Sequence, residues 1–359
     1  MDEALTGPAR TARLTPRHVL VAVCAAIVVV AALRSGHSYD SIDVRTYGEM
    51  MQGIWLHGLP YIDNGPVDRF GTLQVPWLVQ VDGRLWGTYA PLYPYLGAPL
   101  LSGGLRLVYV ATTALLVPLL LLVHALAREV LVREGPEGER DEWYALAVAL
   151  GSVFSTPIFG KALELTAYPM VVLFAVAGSL AVVRAVRTAG RARLGWSAGA
   201  GVLFALGAAS HMLCFPLAAA SLASLAILDG TDSRVGGAGW LARTPLHGLW
   251  PTRETIASSA VGLVAMIVSL APVGLLNRLR FGTPSPFSYG PVPWYGSQWG
   301  LSDQNLGAHI RFAAPVLGLV FVLPRVPRRT KHQLIALLVP CFAFFVYLAM
   351  RANLPSTVK

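Results

Sequence analysis

Nine stretches of this chain are apolar enough to lie in a membrane, and this feature limits the possible folds more than any other. Crossing about 30 Å of hydrocarbon takes roughly 20 mainly apolar residues, and shorter runs are tolerated where neighbouring helices shield them. The stretches cover approximately 18–33, 105–127, 143–159, 168–183, 195–210, 213–228, 256–275, 312–323 and 333–350. The sequence therefore predicts an all-α polytopic membrane protein with about nine transmembrane helices.

The composition argues against a soluble protein and against a nucleic-acid-binding protein. Hydrophobic residues make up 55% of the chain and charged residues only 13%, whereas soluble domains carry about 25% charged residues. The net charge of +9 is spread in short clusters between the apolar stretches, a pattern that sets membrane orientation and does not indicate a nucleic-acid partner. Cys24, Cys214 and Cys341 each lie in a different apolar stretch, where a thiol behaves as a small hydrophobe. The predicted partner is the lipid membrane.

Two basic loops set the predicted orientation. Short loops rich in Arg and Lys stay in the cytoplasm. The loops at 184–193 and 324–332 share one side only if 92–104 is a re-entrant or interfacial segment. The N-terminus is then cytoplasmic, the first span is an uncleaved anchor, and the protein is a multi-pass protein of the plasma (inner) membrane. The predicted parts are a cytoplasmic tail (1–17), one membrane-embedded domain (18–350) with outer loops 34–104 and 276–311, and an outer tail (351–359).

The long outer loop between the first two spans is rich in acidic residues. Asp40 and Asp43 stand three residues apart, so a helical turn would point both carboxylates the same way, with His37 one turn earlier. Such a pair can hold a divalent cation, with Asp40 and His37 as ligands, or supply a general base. Alternatively, Asp40 or Ser38 caps a helix that ends at Gly58. Both roles are compatible.

Two other features of the outer segments are the charges at 161–164 and the aromatic residues at 86–95. Lys161 and Glu164 lie between two spans, where charges are costly and are usually retained for a task. They are predicted either to contact the acceptor or sugar or to form a structural ion pair. Trp86, Tyr89, Tyr93 and Tyr95 are predicted to form an interfacial aromatic belt in preference to a ligand platform.

The outer loop 276–311 is basic, against the positive-inside bias. It contains Arg278, Arg280 and Arg311, and a forked guanidinium at headgroup depth suits a phosphate. That phosphate belongs either to a phospholipid headgroup or to a lipid-linked substrate. Tyr289 and Trp294 lie between these arginines, and their flat rings either stack on a sugar or anchor the segment at the interface.

Four phrases of the sequence together resemble the glycosyltransferase C superfamily, whose members take sugar from a polyprenyl-phosphate carrier. They are "YDSIDVRTYGEMMQGIWLHGLPY" (39–61), "YAPLYPYLGAPL" (89–100), "ALELTAYP" (162–169) and "LNRLRFGTPSPFSYG" (276–290). Protein O-mannosyltransferases and the aminoarabinose transferase of lipid A belong to this superfamily. The likeness covers about the first 300 residues.

The resemblance implies a function and a set of roles. An acidic residue of the first outer loop is the catalytic residue, which corresponds to Asp43 or else to Asp40. Arg278 and Arg280 would hold the lipid phosphate. The implied donor is a polyprenyl-phosphate sugar, and the acceptor is a glycan, a lipid or a protein. Two alternatives stand beside this hypothesis: a polytopic transporter or flippase, and a non-catalytic membrane protein of envelope assembly.

Overall fold

The structure is a computed structural model that describes residues 14–34, 42–62, 78–131, 138–212, 214–228, 251–286 and 335. Several predictions fall outside these residues. They are the spans at 312–323 and 333–350 and the site residues His37, Asp40, Tyr289, Trp294 and Arg311.

Helices account for most of the described chain. In order, they are α1 (Pro16–Arg34), α2 (Ile42–His57), α3 (Leu92–Gly97), a 3₁₀ helix (Ala98–Gly103), α4 (Leu105–Ala114), α5 (Leu116–Leu131), α6 (Gly138–Phe154), α7 (Pro157–Ala162), α8 (Tyr168–Arg187), α9 (Gly190–Ser210), α10 (Cys214–Ser224) and α11 (Arg253–Phe281). Within the described residues, four segments are long and apolar enough to cross a membrane: Pro16–Leu33, Leu105–Leu131, Tyr168–Arg187 and Arg253–Phe281. A helical membrane protein is thus supported, and the count of nine spans stays a prediction.

Three long helices, α8, α9 and α11, form the centre of the bundle. Small residues let them approach closely, as in other membrane helix pairs. A methyl group added to Gly201 of α9 would lie 2.1 Å from the carbonyl oxygen of Gly262 in α11. An added methyl on Gly178 of α8 would lie 2.7 Å from the ring of Phe204 in α9. These glycines therefore set the spacing of the helices that carry the candidate site.

A small antiparallel sheet lies beside α2. It consists of β1 (Tyr61–Ile62), β2 (Leu78–Val81) and β3 (Arg84–Gly87), in the order β1-β3-β2. Asp82 and Gly83, both with positive φ, form the two-residue turn between β2 and β3, as tight hairpins require. The sheet corrects the all-α prediction, because an Asp-Gly turn between two short apolar runs stabilises a hairpin there.

The helix predicted in the first outer loop is confirmed over its described part. The chain leaves α2 at Gly58, whose φ is 74° and whose N–H bonds the carbonyl of Ile54 at 2.8 Å. A left-handed residue of this kind ends many helices and is usually glycine. Further on, residues 92–103 form two six-residue helices, which are too short to cross about 30 Å of hydrocarbon.

The aromatic residues at 86–95 do not form the predicted belt. Trp86, Tyr89 and Tyr93 are buried, and Tyr95 is partly buried, with its hydroxyl donating to the carbonyl of Gly58. These rings point into the protein because they pack against α2 and its surroundings. The local sequence did not indicate this packing. The belt prediction is therefore wrong for these residues.

Candidate functional site

Asp43 lies in the first turn of α2, where the positive end of the helix dipole favours a carboxylate. Its Oδ1 accepts a hydrogen bond from the hydroxyl of Tyr89, which lies 46 residues away in the sequence. The Asp43 side chain is only partly buried. The carboxylate is thus held in one orientation and still reaches the surface.

An aromatic cluster holds the Tyr89 hydroxyl in place. The ring of Tyr47, one turn along α2 from Asp43, lies 4.7 Å from the ring of Tyr89 and meets Tyr93 edge-on at 5.1 Å. The Tyr93 hydroxyl in turn hydrogen-bonds Thr112 at 2.7 Å. Rings buried in such contacts have few alternative rotamers. The donor to Asp43 is therefore preorganised.

His211 is a second titratable residue near Asp43, in the short connection between α9 and α10. Its ring stacks on the ring of Tyr168, the first residue of α8, with centroids 5.4 Å apart. Burial lowers the pKa of His211 to about 4, and the nearby Asp43 carboxylate opposes that shift. At neutral pH the site therefore pairs an acidic residue with a neutral imidazole.

The buried imidazole predicts a pH dependence of stability. Above pH 6.5 His211 is neutral in both the folded and the unfolded chain. Between pH 6.5 and about 4 the unfolded chain takes up a proton that folded His211 does not, which lowers the free energy of unfolding by up to about 3 kcal/mol. We expect the midpoint of thermal unfolding to fall less between pH 7.5 and 4.5 in His211→Gln than in the parent. An equal fall in both proteins would contradict this assignment.

The two arginines at the end of α11 have different environments. Arg280 is 1% exposed, and its Nη2 donates to the backbone carbonyls of Gly87 and Tyr89, at 3.0 Å for Tyr89. Its Nη1 donates to Asn277 Oδ1 at 3.1 Å. Arg278 is exposed. The buried guanidinium thus fixes the backbone of the residue that contacts Asp43, whereas the exposed one is accessible to a ligand.

Lys161 and Glu164 form the ion pair that was one of their two predicted roles. Lys161 Nζ lies 2.7 Å from Glu164 Oε2, and both side chains are partly exposed. An ion pair this exposed contributes little to stability. Contact with an acceptor or sugar stays a prediction for both residues.

The described residues do not provide a complete metal site. No group of three or more His, Cys, Asp or Glu side chains among residues 14–34, 42–62, 78–131, 138–212, 214–228 and 251–286 is arranged to hold a metal ion. The predicted ligands Asp40 and His37 lie outside these ranges. The divalent metal stays a prediction, and no step below depends on it.

Sequence reasoning did not give His211 a role and placed Tyr89 in the belt. In the predicted orientation, residues 211–212 lie on the outer side, between the apolar stretches 195–210 and 213–228. A histidine there, on the same side as Asp43, was the available signal. The chain matches no protein-family model, no curated protein and no solved structure at a significant level.

Proposed function

We propose that this protein is a membrane glycosyltransferase that moves a sugar from a polyprenyl-phosphate carrier to an acceptor at the outer membrane face. One observation supports the proposal most strongly: the four phrases that resemble the superfamily converge around Asp43. The first contributes Asp43 and the second contributes Tyr89, its hydrogen-bond donor. The third contributes Tyr168, which stacks on His211 beside Asp43. The fourth contributes Arg280, which binds the Tyr89 carbonyl.

In the proposed reaction Asp43 acts as a general base. It takes the proton of the acceptor hydroxyl while the oxygen forms a bond to the anomeric carbon of the sugar. The bond between that carbon and the carrier phosphate breaks, and its electron pair leaves with the phosphate. Because the leaving group is already a stable anion, a single carboxylate suffices where ordinary glycosidases need two.

The proposal divides the roles of the two arginines. Arg278 is exposed in the last turn of α11, near the exposed side chains of Leu275 and Leu279, and its forked guanidinium suits a carrier phosphate. Arg280 positions Asp43 indirectly, through the backbone of Tyr89. A small displacement of a general base lowers the catalytic rate steeply. A residue that fixes the position of the base therefore contributes to the rate without contacting the substrate.

The proposal requires that Asp43 face the outside of the cell. We expect an impermeant maleimide to label a cysteine at Ser102 in intact cells and to label one at Ala189 only after the membrane is opened. Both positions are exposed, and Cys24, Cys214 and Cys341 would first be replaced. Labelling of Ala189→Cys in intact cells together with protection of Ser102→Cys would place the site on the wrong side.

A transfer assay tests the function directly. Purified protein would be incubated with a panel of polyprenyl-phosphate sugars and with lipid, glycan and peptide acceptors. We expect one donor to be consumed, with polyprenyl phosphate released in step with a glycosylated acceptor. Hydrolysis to free sugar, or no consumption of any donor, would contradict the proposal.

A further inference from the structure

An apolar groove of about 820 Å³ lies between α5, α6 and α8. Its sides are formed by aliphatic residues of all three helices, among them Leu119 and Val123 of α5, Val148 of α6, and Val172 and Val176 of α8. Its polar lining residues include Thr156 just after α6, Lys161 in α7, and Tyr168 at the start of α8. The groove is therefore apolar along its length and polar at one end.

Among the described residues, those at the polar end of the groove carry no formal net charge. Lys161 forms its ion pair with Glu164 there, at 2.7 Å. The other polar side chains of the described lining are hydroxyls, those of Ser152, Thr156 and Tyr168. Arg278, in contrast, forms no ion pair with any other described residue and is exposed. An anionic head is thus better matched at Arg278, and an uncharged, hydroxylated head is better matched at the groove.

Tyr168 connects the groove to the candidate site. Its side chain lines the groove, and its ring stacks on His211 at 5.4 Å. The negative charge of Asp43 acts on the imidazole of His211. A molecule with its chain in the groove would therefore have its head at Tyr168, on the side of the groove that leads to His211.

We propose that the acceptor is a lipid with an uncharged, hydroxyl-bearing head, and that the groove between α5, α6 and α8 binds its hydrocarbon chain. The role of this lipid as acceptor rests on the proposed function, whereas its binding does not. The carrier phosphate enters from the Arg278 side and the lipid hydroxyl from the Tyr168 side. The two substrates then meet at Asp43.

Photolabelling tests the binding without any need for turnover. The purified protein in phosphatidylcholine nanodiscs would be exposed to a diacylglycerol with a diazirine on its acyl chain, or to phosphatidic acid with the same chains. Label on peptides from α6 and α8 would be measured against increasing amounts of unlabelled lipid. Val148→Trp fills the groove, and Val29→Trp in α1 is its matched control, because both valines are about half exposed, at 46% and 55%.

We expect the diacylglycerol label to saturate, to fall at least about tenfold in Val148→Trp, and to stay unchanged in Val29→Trp. Label that does not saturate, label absent from α6 and α8, or preferential labelling by phosphatidic acid would each overturn the inference. Asp43→Asn should be labelled like the parent. Transfer activity without saturable labelling would overturn this inference alone, whereas saturable labelling in a parent that transfers no sugar would overturn the proposed function instead.

Discussion

Asp43→Asn is expected to lower the rate of sugar transfer by about 100-fold to 10,000-fold, the usual cost of losing a general base. Asparagine has nearly the same shape as aspartate, and its side-chain oxygen can still accept the hydrogen bond from Tyr89. The variant should therefore keep its expression level, its thermal stability and its affinity for the donor. The measurement is the turnover of purified parent and variant in the transfer assay.

Asp82→Asn is the matched control for this change. Asp82 is an exposed acidic residue in the β2–β3 turn, and its φ is 51°, a left-handed conformation that asparagine tolerates. It loses one negative charge from the same part of the chain, between α1 and α4, and should leave turnover unchanged. Parental turnover in Asp43→Asn would show that Asp43 is not the base. An equal loss of turnover in both variants would mean that the loss comes from the missing negative charge and not from a missing base.

Arg280→Ala and Arg278→Ala are expected to act on different properties of the protein. Removing Arg280 leaves the buried carbonyls of Gly87 and Tyr89 without their charged donor, at a cost of about 1.5–3 kcal/mol for each hydrogen bond. Removing the exposed Arg278 should change stability by less than about 0.5 kcal/mol. The measurement is the midpoint of thermal unfolding in detergent.

Donor affinity completes the comparison of the two arginines. Arg278→Ala should weaken binding of the polyprenyl-phosphate sugar while its stability stays parental, and Arg278→Lys should restore only part of that binding, because lysine lacks the fork. Arg280→Lys keeps the charge but cannot donate to both carbonyls with the same geometry, so it should lower turnover. Equal stability of the two alanine variants would contradict the buried role of Arg280.

Local sequence signals predicted much of the secondary structure. Hydropathy predicted apolar stretches that overlap α1, α4, α5, α6, α8, α9, α10 and α11, and Gly58 correctly marked the end of α2. The sheet was missed although "VDGR" carries the Asp-Gly signal of a tight hairpin. Its strands are only two to four residues long, which is too short for an alternating pattern to stand out.

The candidate site was harder to predict because its contacts join distant parts of the chain. Asp43 was singled out from the sequence, but its bond to Tyr89 spans 46 residues. No local pattern specifies which of several tyrosines would pack against α2. His211 illustrates the same limit, since its position near Asp43 depends on how α9 packs in the bundle.

The different environments of the two arginines follow from the length of α11. Span prediction ended this helix at residue 275 and placed both arginines in a loop, whereas the helix continues to Phe281. Two residues apart on a helix, side chains point in nearly opposite directions. One arginine therefore faces the protein while the other faces outwards. The prediction of a loop at these positions could not distinguish the two side chains.

Envelope analysis in cells tests the proposed function most directly. Glycolipids and glycoproteins would be compared by mass spectrometry in cells that carry the parental gene, no gene, or the Asp43→Asn allele expressed at the parental level. We predict that one glycosylated species, a glycolipid, disappears without the gene, returns with the parental gene and stays absent with Asp43→Asn. An unchanged envelope in all three strains, or full restoration by Asp43→Asn, would contradict it.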